Sequence, residues 1–391
     1  MLRKSKIRLL AVISTIIIAF AGLTTSVWAK IEIDTSKMPP GYVLVKKTDK
    51  NIAPGITETQ IVSNTKQGDM QQIDYLMEVD MSENSSTKVV ASYGANYDAS
   101  SWELATMAEQ IDGYEAYMKK NGIKNEEVVA AVNADFFNMG TGEPMGALVM
   151  NGKIIKKPTD LYFCITKDGK ADLREANEPL DDVEQAVGGR LWLVKDGKVQ
   201  PMTDHVRMTR EAIGIKADGS IVTFTTHGIS DKSAGRSTDE LASMMAAAGC
   251  VDAIQIDGGG SATYMAKYEG TDKIEVRNNP SDGKLRSVSS GLLFISTSVK
   301  DGVFDHSSIT PNEEVYTPGQ TVEFKAVGVD GGGGEAPIPQ EITWNVEDTE
   351  LATIDAKTGI ATLKDDKEGT LIVNQIYKGQ IVGTGIYKSN E

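Results

Sequence analysis

Hydrophobic and polar positions along the chain alternate mostly with a period of two, which is the strand signature. "QQIDYLMEVDM" alternates this way, and "EVVAAVNADFF" reads as a compact buried strand that ends in polar residues. Three strand–turn–strand units follow: "GALVMNGKII", "RLWLVKDGKVQ" and "AIGIKADGSIVTFTTHG". Each turns at Asn-Gly or Asp-Gly, the dipeptides that favour tight hairpins. Helical spacing occurs twice. "SSWELATMAEQIDGYEAYMKKNG" predicts a helix capped by Ser100 or Ser101 and ended by Gly122. "STDELASMMAAAG" places Glu240 three residues after Ser237, the capping-box spacing, with Gly249 as its stop. "VDAIQID" then reads as a buried strand. The pattern predicts an α+β domain with a mixed or antiparallel sheet and packed helices.

The pattern changes at both ends. Arg3, Lys4, Lys6 and Arg8 precede an uncharged run from Leu9 to Ala29. Residues 1–29 therefore read as a signal peptide cleaved near Ala29, or as a single N-terminal membrane anchor. Either reading puts the rest outside the cytoplasmic membrane, secreted or anchored. Residues 30–55 are polar, with Pro39, Pro40 and Pro54, and predict a linker and leading strand. Residues 56–298 carry the main domain. After about Val299 short alternating strands and turns predominate, and Trp344 lies in an alternating run as a sandwich-core aromatic would. "ITWNVEDTELATIDAKTGIATLK" and "GTLIVNQ" resemble a bacterial Ig-like domain of group 2, so residues 299–391 are expected to form a small all-β Ig-like sandwich. Such a domain would make contact with the cell wall.

Charge narrows the function classes. With 40 Lys and Arg against 55 Asp and Glu, the formal charge is −15. A broadly acidic surface argues against nucleic-acid binding. Only Cys164 and Cys250 are present, both in apolar contexts, so small buried hydrophobes are expected rather than a disulfide framework. With three His, a His-rich metal site is not expected. No organic cofactor is expected; a Ca2+ held by Asp and carbonyl oxygens is the metal alternative.

The candidate chemistry centres on "AIQIDGGGSATY". Asp257 ends a strand, and Gly258, Gly259 and Gly260 permit close approach of a ligand, with amides that suit anions. Ser261 and Thr263 add hydroxyls. The competing reading is a strained turn with a capping Asp. No helix and no Lys-Ser or Lys-Thr follows the glycines, so this is neither a Walker A loop nor a dinucleotide fingerprint. "VNADFFN" sets Asn133 and Asp135 beside Phe136 and Phe137, a combination that suits sugars. "TREAIGI" offers Arg210 and Glu211, "TTHG" offers His227, and Arg286 in "NNPSDGKLRSVSS" offers a bidentate phosphate clamp.

Taken together these segments, from about Ala53 to Ser298, resemble the phosphodiester glycosidase family. The resemblance implies hydrolysis of a sugar-1-phosphodiester, of the N-acetylglucosamine-1-phosphodiester kind, in a strand-end cleft. It carries over Asn133, Phe136, Phe137, Arg210, Glu240, Asp257 to Ser261, Thr263 and Arg286. The chain departs from the family's usual pattern at Asp135, where Gly is common, and at His227, where Asp is common. The expected catalytic set is Asp257, Glu240, Arg210 and Ser261, with Glu211 as an alternative partner for Asp257. The expected substrate-binding set is Asn133, Asp135, Phe136, Phe137, His227, Gly258, Gly259, Gly260, Thr263 and Arg286. The partner would be a phosphorylated glycan of an envelope or extracellular polymer. A non-catalytic envelope protein that binds anionic glycan is the alternative.

Overall fold

A computed structural model describes residues 30–68, 70–98, 100–230, 232–310 and 315–389. The basic and apolar segment read as a signal or anchor lies outside the described residues. Strands dominate, and among the described residues there are two α-helices, Met107–Asn121 and Thr238–Ala247. This corrects the α+β balance expected from sequence: the helices are accessories to a mostly β framework. Among the described residues no helix is long and apolar enough to cross a membrane.

The central element is an eight-stranded antiparallel sheet. Its order is Tyr42–Ala53, Ile56–Thr65, Gln71–Val79, Ile221–Thr226, Glu211–Lys216, Cys250–Ile256, Arg190–Lys195 and Lys198–Val199. The alternation of its middle strands sorts two cores. Ile213, Ile221, Ile254 and Ile256 face one cluster, shared with Val128 to Val132 and Leu292 to Ile295. Ala212, Val222, Phe224 and Ala253 face the other, covered by Leu241, Met244 and Met245 of the second helix. A five-stranded sheet, in the order Glu275–Val276, Tyr264–Ala266, Glu127–Asn133, Ser290–Ser296 and Thr87–Tyr93, contributes the first core. A second five-stranded sheet contains Leu148–Met150 and Val183–Gly188.

Local signals explain most element ends. Asn151 and Gly152 have φ of 51° and 72°, and so do Asp196 and Gly197, the doubly left-handed turn that a right-twisted hairpin requires. The second helix has Ser237 as N-cap with its Glu240 capping box. The first helix starts later than expected. Thr106, not Ser100 or Ser101, is the cap, with Glu109 completing the box. The reason is non-local: Ala105 pairs with Val288 in both directions, at 3.0 and 2.9 Å, which keeps the chain extended up to the cap.

The polar segment expected as a linker and leading strand is built into the fold. Ile31 is fully buried in the cluster under the second helix, and Asp34 N–H donates to Ala247 O at 2.9 Å. Tyr42–Ala53 is the sheet's edge strand, paired along its length with Ile56–Thr65. Beyond Val299 the strands form four-, three- and two-stranded groups around a separate core of Tyr316, Phe324, Trp344, Leu371 and Tyr387. Cys164 and Cys250 are both free and buried, and burial pushes each thiol up to about 12.

Candidate active site

The site forms where the central strand Cys250–Ile256 ends against the five-stranded sheet. Asp257 N–H donates to Ala134 O at 2.8 Å, tying the two sheets together. Asn133 then fastens the following loop at two points. Its Nδ2 donates to Asp257 O at 2.8 Å, and its Oδ1 accepts from Thr263 N–H at 2.7 Å. Thr263 Oγ1 donates to Ser261 O at 2.9 Å. Asn133 and Thr263 are therefore committed to holding the loop, while the Ser261 side chain favours the ionised form of Asp257.

The glycines answer to close packing. A Cβ on Gly258 would lie 2.6 Å from Thr209 O, and Gly259 N–H donates to that same oxygen at 2.8 Å. A Cβ on Gly260 would lie 2.0 Å from Arg286 Nη2 and 2.3 Å from Asp282 Oδ1. The run is free of side chains because a neighbouring strand start and an ion pair press on it. One of its amides is already spent on protein, so the loop is less of an open anion nest than its sequence suggests.

Three carboxyl groups meet here. Burial pushes Asp257 up to about 6, against the opposing effects of Ser261 and Arg286. Asp135 is 2% exposed, and burial pushes it up to about 7, against a hydrogen bond from Gly146 N–H and the charge of Arg190. The negative charge of Asp257 raises it further. Its carboxylate fits only because two glycines face it: a Cβ on Gly188 would sit 2.5 Å from Oδ2, and one on Gly146 would sit 3.2 Å away. Glu211 is fully buried and held well above the usual carboxylate range by burial, and Asp257 raises it again. Thr225 Oγ1 donates to Glu211 Oε1 at 2.8 Å, while Oε2 has no hydrogen-bond partner. The cluster thus gathers three carboxyl groups whose pKa values are all raised by burial, the environment in which proton-transfer groups are tuned. Among the described residues no three His, Cys, Asp or Glu side chains are grouped to hold a metal ion.

The cationic groups divide differently from the sequence-based expectation. Arg210 is 3% exposed and turned away from the cluster: Nη2 donates to Asp204 Oδ2 at 2.7 Å and to Val206 O at 2.8 Å, and Nε donates to Arg236 O at 3.2 Å. It fixes the chain before the strand Glu211–Lys216. Glu240 is likewise elsewhere, paired with Arg207 and capping its own helix. Glu211, the alternative partner, is the one the fold brings beside Asp257. Arg286 lies at the loop, with its fork closed on Asp282 at 2.8 and 3.0 Å. Phe137 is in the core, 7% exposed, whereas Phe136 is half-buried beneath the guanidinium of Arg190, 4.8 Å from its ring centroid. His227 stands at the far end of the loop that carries Arg286, accepting at Nδ1 from Asn279 N–H at 3.3 Å. Its ring lies 6.1 Å from that of Tyr75, and burial lowers its pKa.

Sequence reasoning missed Arg190, Gly146 and Gly188. The run Gly188-Gly189-Arg190 just before a strand was the available signal.

Residues 126–295 match the family model described as phosphodiester glycosidase, and this span includes all three carboxyl groups, Arg190 and Arg286. An SPβ prophage-derived uncharacterized protein of Bacillus subtilis is 32% identical over 183 residues, 42% of this chain and 27% of that protein. The mouse N-acetylglucosamine-1-phosphodiester alpha-N-acetylglucosaminidase is 27% identical over 161 residues, 34% of this chain and 31% of that protein. The chain thus spans under a third of these relatives' length. Among solved structures, the zebrafish N-acetylglucosamine-1-phosphodiester alpha-N-acetylglucosaminidase catalytic domain, auto-inhibited by pro-peptide, aligns with a TM-score of 0.47 and 18% identity. That alignment covers 68% of this chain and 95% of the zebrafish chain. Over residues 126–295 the chain is thus similar to the phosphodiester glycosidase family.

Proposed function

We propose that this chain hydrolyses a sugar-1-phosphodiester, of the N-acetylglucosamine-1-phosphodiester kind, in an envelope or extracellular glycan. The observation that carries the reading is the grouping of Asp257 with Asp135 and Glu211, three carboxyl groups with raised pKa values next to Arg190 and Arg286. A protein that only bound anionic glycan would gain nothing from buried carboxyl groups, which repel the ligand when ionised. The matching family region supports the same reaction class.

In this mechanism ionised Asp257 takes a proton from water as the water oxygen attacks the anomeric carbon. The bond from that carbon to the bridging oxygen breaks, and its electron pair stays on the oxygen. The products are a free sugar and a phosphomonoester. A phosphate leaving group is already a stable anion, so it asks more of a guanidinium than of an acid. Burial holds Asp257 near the pH range where it serves as base, while Asp135 and Glu211 stay buried in the protein beside it. The N-terminal segment would deliver the enzyme across the membrane or anchor it there, and the separately cored region after Val299 would serve as an Ig-like spacer at the cell wall.

Hydrolysis of methyl-phospho-N-acetylglucosamine in 18O-water tests the bond assignment. The label should enter the released sugar, read before anomeric exchange. Label in the phosphomonoester would mean attack at phosphorus, and Asp257 would lose its role as base toward carbon.

A further inference from the structure

We infer that Arg190 is the phosphate ligand of this site, an inference that rests on the phosphodiester reading. Arg190 begins the strand Arg190–Lys195 and lies opposite Gln255, two residues before Asp257 on the neighbouring strand. Its backbone position is therefore next to the reacting carboxylate. Its charge lowers the pKa of both Asp257 and Asp135, in keeping with that position.

The backbone at this point is shaped to aim the side chain. Pairing with the central strand slips between Arg190 and Trp192, and Leu191 adopts φ of 52°. A left-handed Leu is strained, and it is also 52% exposed, so it gains no packing from the position. A bulge of this kind redirects the side chain beside it. The guanidinium lies over Phe136, a half-buried ring at the end of the neighbouring sheet's strand, 4.8 Å from the centroid. Stacking fixes the plane of the fork while leaving its N–H edge available.

Partnering separates Arg190 from the other arginines nearby. Arg210 is paired with Asp204, Arg207 with Glu240, Arg236 with Asp74 and Arg286 with Asp282. Among the described residues no ion pair engages Arg190; its Nη2 lies 2.6 Å from Met145 Sδ. A thioether is a weak acceptor, and a phosphodiester oxygen would replace it readily. The two non-bridging oxygens of a phosphodiester match the fork, which places the phosphate beside Asp257. Arg286, held by Asp282, supports the loop and the local potential instead.

The test uses the full chain, with inorganic phosphate and free N-acetylglucosamine as competitors. Arg190→Gln should weaken inhibition by phosphate, and raise KM for methyl-phospho-N-acetylglucosamine, by about 10- to 100-fold, the worth of a charge-assisted bond. Inhibition by the uncharged sugar should change by less than about threefold, since one neutral contact at most is lost. Arg286→Gln should weaken phosphate inhibition less than Arg190→Gln does. Equal phosphate inhibition in the wild type and an active Arg190→Gln enzyme overturns the assignment and leaves the phosphodiester reading standing. If the wild type turns over no sugar phosphodiester, that reading fails, and calorimetric titration with inorganic phosphate decides the assignment alone. Binding lost in Arg190→Gln upholds it; binding equal in both, or absent from both, overturns it. Should Arg190→Gln not fold, Arg190→Lys keeps the charge and loses the fork, and unweakened phosphate binding there overturns the assignment as well.

Discussion

Asp257 carries two opposing consequences at the scale of one residue. As the base it must be ionised, and burial has pushed its pKa up to about 6. The kcat/KM profile should therefore rise with pH through about 6 on its acid side, and Asp257→Asn should remove that limb together with most of the turnover, a loss of about 100-fold or more. Stability runs the other way. A carboxyl group whose folded pKa is raised binds its proton more tightly when folded. Its contribution is full below the unfolded value and is lost as pH rises through the folded value. At pH 8 the ionised, half-buried Asp257 is a cost, so Asp257→Asn should melt at a higher temperature than wild type there, with the difference shrinking toward pH 4. A lower melting temperature at pH 8, with full turnover, would make Asp257 a structural turn residue. Its position at a strand end before glycines was legible in sequence because strand, acid and turn are contiguous. The Asp135 pocket was not legible, because the room for that carboxylate is made by Gly146 and Gly188, which come from other segments.

The elements show the same division between local and distant causes. Hairpin turns and the Ser237–Glu240 box were readable because each depends on a few adjacent residues. The start of the first helix was not, since the pairing of Ala105 with Val288 decides it. The glycine loop lies between these cases. Its sequence announces freedom of the backbone, but the neighbours decide which glycine needs it. Gly258→Ala would drive a Cβ to 2.6 Å from the backbone oxygen of Thr209, which cannot rotate away. The loop must shift, at a cost of about 1–3 kcal/mol and more than about tenfold in kcat/KM. Gly259→Ala meets nothing within 4 Å, and its penalty is the φ of 61°, about 1–2 kcal/mol. Both variants should unfold earlier in urea, but Gly258→Ala should be the more damaged in turnover. The reverse order would mean that Gly259, the open position, is the one that approaches the substrate.

For the whole molecule, the composition shift near Val299 was legible, but not the way the C-terminal strands meet the rest. His306, on the strand Phe304–Thr310, lies 3.0 Å from Glu269 Oε2 through Nε2 and 2.9 Å from Asp305 Oδ2 through Nδ1. Glu269 also accepts from Asn51 Nδ2 of the edge strand at 3.1 Å. Gly270 N–H donates to Gly333 O at 2.9 Å, and Lys300 reaches Glu127 at 2.7 Å. Burial disfavours the imidazolium, yet the two carboxylates outweigh it, and the pKa of His306 is raised above its ordinary 6.5. Lys47, Lys50 and Asp49 line the same cleft. A histidine with a raised folded pKa contributes its full stabilisation below the unfolded value and loses it as pH rises through the folded value. The contact between the two regions should therefore be tightest below about pH 6.5 and loosen on the alkaline side. Limited proteolysis of the segment near Val299, which is 71% exposed, reads this directly. Cleavage of the wild type should accelerate from pH 6 to pH 9 beyond the protease's own profile on an unstructured peptide. His306→Gln should remove most of that pH dependence and cleave at the faster rate throughout. A wild-type rate that follows the protease alone would show that the backbone pairing and the Lys300–Glu127 bridge hold the regions together without the imidazolium.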